Sequence, residues 1–151
     1  MRDELYMVLM APTETTKQIR ELMERMDTLA WSMIPGAIRY DAVRVQTSPT
    51  DRIADAFGSI DEAQRKLMEL DQRRRKEEGV IRELCARCQD LTEQERYVIL
   101  KRYLYREKWE SIGYWMDLKD RRIFQIHGEA LNKLDAFLCS DGNKMCDTLA
   151  N

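Results

Sequence analysis

Residues 91–134 read LTEQERYVILKRYLYREKWESIGYWMDLKDRRIFQIHGEALNKL. Three amphipathic runs there are joined by two short polar breaks, at 106–108 and 117–119. The first run opens as a helix: Thr92 is a capping residue, and Glu95 follows three positions later, the spacing of a capping box. Val98, Ile99, Leu100 and Tyr103 supply its inward face. Trp109, Ile112 and Trp115 or Met116 do the same for the second run. The third begins near Asp120, with Ile123, Ile126, Ala130, Leu131 and Leu134 on one side and Arg121, Arg122, Phe124 and Gln125 on the other. Either Lys119 holds the capping position or Asp120 takes it over and the helix starts one residue later. Three short helices with a tight second corner make a helix-turn-helix, a layout that lays the third helix in the major groove of DNA while the other two hold it there.

The side chains at that helix start suit the task. Arginine pairs with guanine edges and glutamine with adenine edges. Two arginines in a first turn oppose the helix dipole, so their presence favours an external anion over helix stability. Lys119 and Asp120 flank them. Arg102 and Arg106 stand on the approach side, where they either grip phosphates or are solvated. His127 has no nucleophile or base in sequence reach, and there is no phosphate-binding loop, so an enzyme is not expected. Trp109 and Trp115 follow the buried spacing rather than that of a stacking platform.

Charge limits what a single copy achieves. The segment 91–134 holds nine Lys or Arg against seven Asp or Glu, a net +2, in a chain of net −2. Phosphate contacts supply most non-specific affinity, so one copy binds weakly and needs a dimer partner or a tether.

Upstream, the pattern lengthens. Pro12 and Thr13 mark a helix start after an ambiguous first ten residues. Ile19, Leu22, Met26, Leu29 and Met33 then recur at three- and four-residue steps, a coiled-coil-like seam ended by Pro35 and Gly36. A connector leads to Pro49 and to Thr50, which can cap a second long helix from Asp51. Its stripe runs Ile53, Phe57, Ile60, Leu67, Leu70, then Ile81, Leu84, Cys88 and Leu91. Gly79 and the charged run 73–78 interrupt it, leaving open one helix or two. Two stripes so close in sequence pair most simply as an antiparallel hairpin. A hairpin of this kind buries little alone, so homodimerisation, packing on the C-terminal domain or partner docking through it is expected.

The composition agrees. Hydrophobic residues make up 44% and charged residues 34% of 151, with three prolines and six glycines, as in a soluble helical protein. No apolar run reaches membrane-spanning length, and the N-terminus carries no secretory pattern, so a cytoplasmic location without membrane contact is expected. Cys85 and Cys88 form a CxxC, but Cys139 and Cys146 have six residues between them and His127 lies elsewhere. That spacing does not suit zinc, so neither metal nor cofactor is expected and reduced, packed thiols are the reading.

On the motifs LTEQERYVILKRY, WESIGYWMDL and RIFQIHGEALNKL, residues 91–134 resemble region 4 of bacterial sigma-70-type factors. The IHGEALNKL ending and the stretch VQTSPTDRIADAF resemble phage-encoded regulators of the RinA and ArpU type, so the likeness spans most of residues 15–135. The resemblance implies an all-α chain: a long-helix hairpin over 1–89, a sigma-region-4-like helix-turn-helix over 90–138 with the recognition helix at about 120–138, and a flexible tail over 139–151. It implies transcription regulation of phage or prophage late or packaging genes, on double-stranded DNA and in contact with RNA polymerase in a bacterial host. The recognition positions carry over to Asp120, Arg121, Arg122, Phe124 and Gln125. Phe124 replaces the basic residue common there in sigma factors, which leaves contact with a thymine methyl rather than a charged contact. The alternative is a protein-interaction module, a packaging component or an inhibitor of a host protein, on a scaffold that no longer reads DNA.

Overall fold

Residues 3–32 and 49–149 are described by the computed structural model, and among them every regular element is a helix. The chain is all-α over that span. The expected stop at Pro35 and Gly36, Met33 of the seam, and the connector through Ser48 lie outside the described residues. Among the described residues, no helix is long and apolar enough to cross a membrane.

The first helix, α1, spans Asp3–Ser32 and carries Pro12 inside it. The sequence places its start at Pro12, and the structure moves it back by nine residues. Leu5 and Leu9, one turn apart, are completely buried in a cluster with Ile81, Leu84, Cys85 and Cys88. A proline in a helix interior costs about 3 kcal/mol. Each fully buried leucine returns roughly 1.5–3 kcal/mol, so the tertiary contact outweighs the local break. Asp3 and Glu4 add negative charge at the positive end of the helix.

The second helix, α2, spans Pro49–Arg87 without interruption, which resolves the choice between one helix and two. It begins with Pro49, two residues before the expected Asp51, because a proline in the first turn gives up only an N–H that has no intrahelical acceptor. Gly79 has open space where a Cβ would stand, so it marks neither a bend nor a close approach. The charged run is laced internally: Arg74 lies 3.0 Å and Arg82 3.7 Å from the half-buried Glu78.

The remaining elements are α3 (Glu93–Ile99), which runs into a π-helical turn at Leu100–Leu104, then α4 (Trp109–Met116) and α5 (Asp120–Leu149). The capping box forms as expected: Thr92 Oγ1 accepts from Glu95 N, and Thr92 N donates to Glu95 Oε2 at 2.7 Å. The wide turn closes with Tyr105 N donating to Leu100 O at 3.2 Å. α5 continues to Leu149, past residue 138 where the sequence ends it. Polar composition suggests fraying over 139–151, but no proline in that stretch breaks the helix.

Contacts divide the chain into two compact units, Met1–Glu14 with Arg74–Asn151 and Thr15–Arg73. In the first unit, the N-terminal turns of α1 and the end of α2 share a core with Ile99, Leu104, Ala130 and Leu134. Val98, Ile112, Ile123 and Ile126 form a second cluster, covered by Trp109, Met116 and Leu118.

Candidate nucleic-acid interface

The corner between α4 and α5 is set by two backbone features. Asp117 takes the left-handed conformation (φ 52°, ψ 43°), which aspartate tolerates better than most residues. Leu118 N then donates back to Gly113 O at 3.1 Å. Gly113 is buried, and a Cβ there would stand 3.0 Å from both the Leu118 carbonyl and Ile123 Cδ1. Only glycine lets the chain fold so tightly over α4. The carbonyl of Lys119 accepts from Arg122 N (2.9 Å) and Ile123 N (3.3 Å), so Lys119 holds the capping place and Asp120 is the first helical residue. The later start with Asp120 as cap does not occur. The Asp120 carboxylate instead lies in the first turn, where it favours the dipole.

The helical period then sorts the side chains of α5. Ile123, Ile126, Ala130 and Leu134 are buried. Lys119, Asp120, Arg121, Arg122, Phe124 and Gln125 are exposed. Arg122 Nη1 donates weakly to Gln125 Oε1 at 3.4 Å. Phe124 is 50% exposed and leans on Trp109, with ring centroids 5.0 Å apart. The structure thus brings six of the eight expected site residues onto one stretch.

The other two point elsewhere. The Arg102 guanidinium lies 4.7 Å over the Trp109 ring, and its Nη1 donates to Glu107 O at 3.0 Å. Arg106 sits at φ 55°; its Nη2 donates to Pro12 O at 2.9 Å and approaches Glu78 at 4.0 Å. Its buried Nε has no hydrogen-bond partner. Arg102 thus braces the start of α4 and Arg106 ties the turn before it to α1, and the sequence does not reveal this because their hydrogen-bond acceptors are backbone carbonyls.

His127 lies beside Trp109, edge-on at 4.9 Å, with Tyr103 Oη 3.0 Å from its Nε2. Burial, reinforced by the Arg102 charge, lowers its pKa and favours the neutral ring. Cys85 and Cys88 are buried thiols, and burial pushes Cys85 up to about 11. Among the described residues no three potential ligands gather around a metal position.

Two features escape the sequence reading. Trp115 is 69% exposed, not on the buried face; its ring meets the 81% exposed Tyr114 edge-on at 5.8 Å. The stripe Trp109, Ile112, Met116 was the available signal, since position 115 falls a residue short of the inward face. The second is the ion pair between Lys133 and the buried Glu95, which ties α5 to the start of α3. Nothing local in the sequence couples positions so far apart.

Comparison with known proteins finds no matching family model, and no match among curated proteins or solved structures.

Proposed function

We propose that this chain is a sequence-specific DNA-binding regulator of transcription, built on a helix-turn-helix made by α4 and α5. The observation that carries the reading is the face of α5 at Lys119–Gln125, where Arg121, Arg122, Phe124 and Gln125 are exposed while the opposite face is sealed in the core. With α5 in the major groove, Arg121 and Arg122 serve phosphates or guanine edges, Gln125 an adenine edge, and Phe124 a thymine methyl. The sigma-region-4 and RinA/ArpU resemblance extends the reading to late or packaging genes of a phage or prophage, with RNA polymerase as the second partner. The reaction is binding alone, without metal or cofactor.

A second reading rests on Tyr114 and Trp115. An exposed aromatic pair beside the same corner suits a protein partner as well as a nucleic acid, so an interaction module that does not read DNA is the competing function.

Selection of bound fragments from a genomic library, followed by gel shifts across a salt series, separates the two. The first reading expects an enriched motif whose binding weakens steeply with salt and is lost in the Arg121→Ala/Arg122→Ala variant. Absence of any enriched fragment, or binding indifferent to that variant, overturns it.

A further inference from the structure

Between the amino-terminal turns of α1 and the segment leading into α4 lies an open cavity of about 350 Å³. Every residue lining it belongs to the first unit. Tyr6, Met10 and Thr13 stand at four- and three-residue steps, so they share one face of α1. Arg102 and Tyr103 come from the π-helical turn, a form that recurs at functional sites. Arg106, held at φ 55°, and Trp109 complete the wall.

The charge of this lining has one sign: two guanidiniums and no acidic residue. Among the described residues Arg102 pairs with no carboxylate. Its Nη1 donates to the Glu107 carbonyl at 3.0 Å, while the Glu107 carboxylate is held by Lys101 at 2.8 Å. Arg106 approaches Glu78 at 4.0 Å, but that carboxylate already binds Arg74 at 3.0 Å and lies 3.7 Å from Arg82. Burial, and after it the Arg102 charge, favours the neutral form of the neighbouring His127. Two positive charges without a counterion of their own, beside a half-open space, draw in an anion.

The rest of the wall is apolar. Tyr6, Tyr103 and Trp109 offer aromatic surface, and Met10 a thioether that adapts to ring edges. The Arg102 guanidinium lies 4.7 Å over the Trp109 ring, which steadies the fork with which arginine engages carboxylates. The volume is at the small end of ligand sites, enough for one or two fused rings with an acid group.

We infer that this cavity is a binding site for a small aromatic carboxylate, its ring among Tyr6, Tyr103 and Trp109 and its charge on Arg102 and Arg106. The inference stands apart from the proposed reading of DNA and is measured without DNA.

The probe is naphthoate, titrated into the full chain by calorimetry. Naphthamide has the ring without the charge, and acetate the charge without the ring. Naphthoate is expected to bind in the millimolar range or tighter, and the other two about tenfold more weakly. The chain has three tryptophans, of which Trp31 and Trp115 are exposed and outside the lining. Of the three indole N–H resonances, only that of Trp109 should therefore move with naphthoate. Arg102→Gln is expected to weaken naphthoate about tenfold. Because Arg102 also braces α4, Tyr6→Ala at a half-exposed wall position gives an independent reading. It is expected to bind about fivefold more weakly with unchanged helical circular dichroism, and Tyr6→Phe like the wild type. Lys108→Gln, exposed and outside the lining, is expected to leave the affinity unchanged. Absence of saturable binding overturns the inference. So does equal binding of naphthamide, a Trp109 resonance that stays in place, or an affinity indifferent to Tyr6→Ala. A chain that binds naphthoate and ignores DNA keeps this site and loses the regulator; one that enriches an operator and ignores naphthoate does the reverse.

Discussion

Lys133 Nζ lies 2.8 Å from both carboxylate oxygens of Glu95, a residue only 3% exposed that also accepts from the backbone and hydroxyl of Thr92. One carboxylate therefore completes the cap of α3 and anchors the middle of α5. The exposed arginines of α5 stand about three turns from that anchor, on the same helix.

Burial on its own raises the Glu95 pKa, but the hydrogen bonds from Lys133 and Thr92 outweigh it and the net shift is downward. The folded state therefore gains stability above the usual carboxylate range and loses it as pH falls through the depressed folded value. The Glu95→Gln variant is expected to be less stable than the wild type at neutral pH. That difference should narrow on the acid side of the carboxylate range. Urea midpoints measured at a series of pH values check it; a gap that stays constant refutes the role of the charge.

His127 acts in the same direction at higher pH. Its lowered pKa means that the unfolded chain takes up a proton first as pH drops below the ordinary histidine range. Stability is full above that range and declines below it. His127→Phe is expected to flatten this part of the profile while Glu95 still governs the more acid part. Thermal midpoints from neutral pH to mildly acid pH report it.

Gly113→Ala is expected to destabilise by about 1–3 kcal/mol, as overpacking does, because the added methyl meets the Leu118 carbonyl. Gly79→Ala, also inside a helix but facing open space, is expected to stabilise by up to ~1 kcal/mol. Chemical unfolding of the two variants should therefore move in opposite directions. A stabilised Gly113→Ala would mean that the corner between α4 and α5 has slack.

On the proposed function, Arg121 and Gln125 should fail differently on DNA. Loss of a phosphate contact at Arg121 reduces the slope of log affinity against log salt by about 0.9 and weakens all sequences alike. Gln125→Ala is expected to cost about 1–3 kcal/mol at one base position and to leave the salt slope alone. Binding isotherms on a substituted operator series at two salt concentrations distinguish them.

Thiol labelling reads the core directly. With its pKa near 11 and its side chain buried, Cys85 is expected to resist iodoacetamide in the native chain, and Cys88 with it. The exposed Cys139 should label first. Mass spectrometry of peptides after brief labelling shows the order; early modification of Cys85 would place an opening at the end of α2.

The three helices after residue 91 are legible in the sequence because their signals are local. Thr92 and Glu95 announce a start, and the isoleucines of α5 define a face from their spacing alone. Arg121, Arg122, Phe124 and Gln125 follow by exclusion from that face. What is not legible depends on distant partners. Pro12 reads as a boundary until Leu5 and Leu9 are seen to be covered by residues from α2 and α5. Arg102 and Arg106 find carbonyl acceptors that no local spacing announces. Trp115 and Met116 both fit a three- or four-residue step from Ile112, and a helix of eight residues is too short for its period to separate them.

Leu5 and Leu9 share their cluster with Ala130 and Leu134 of α5, made far later in synthesis. These leucines leave the ribosome long before α5 exists and are fully covered only once it has been made. The core around α5 thus closes only after that helix has been made. A product lacking α5 would be left with the faces of Leu5 and Leu9 uncovered on that side, and sticky.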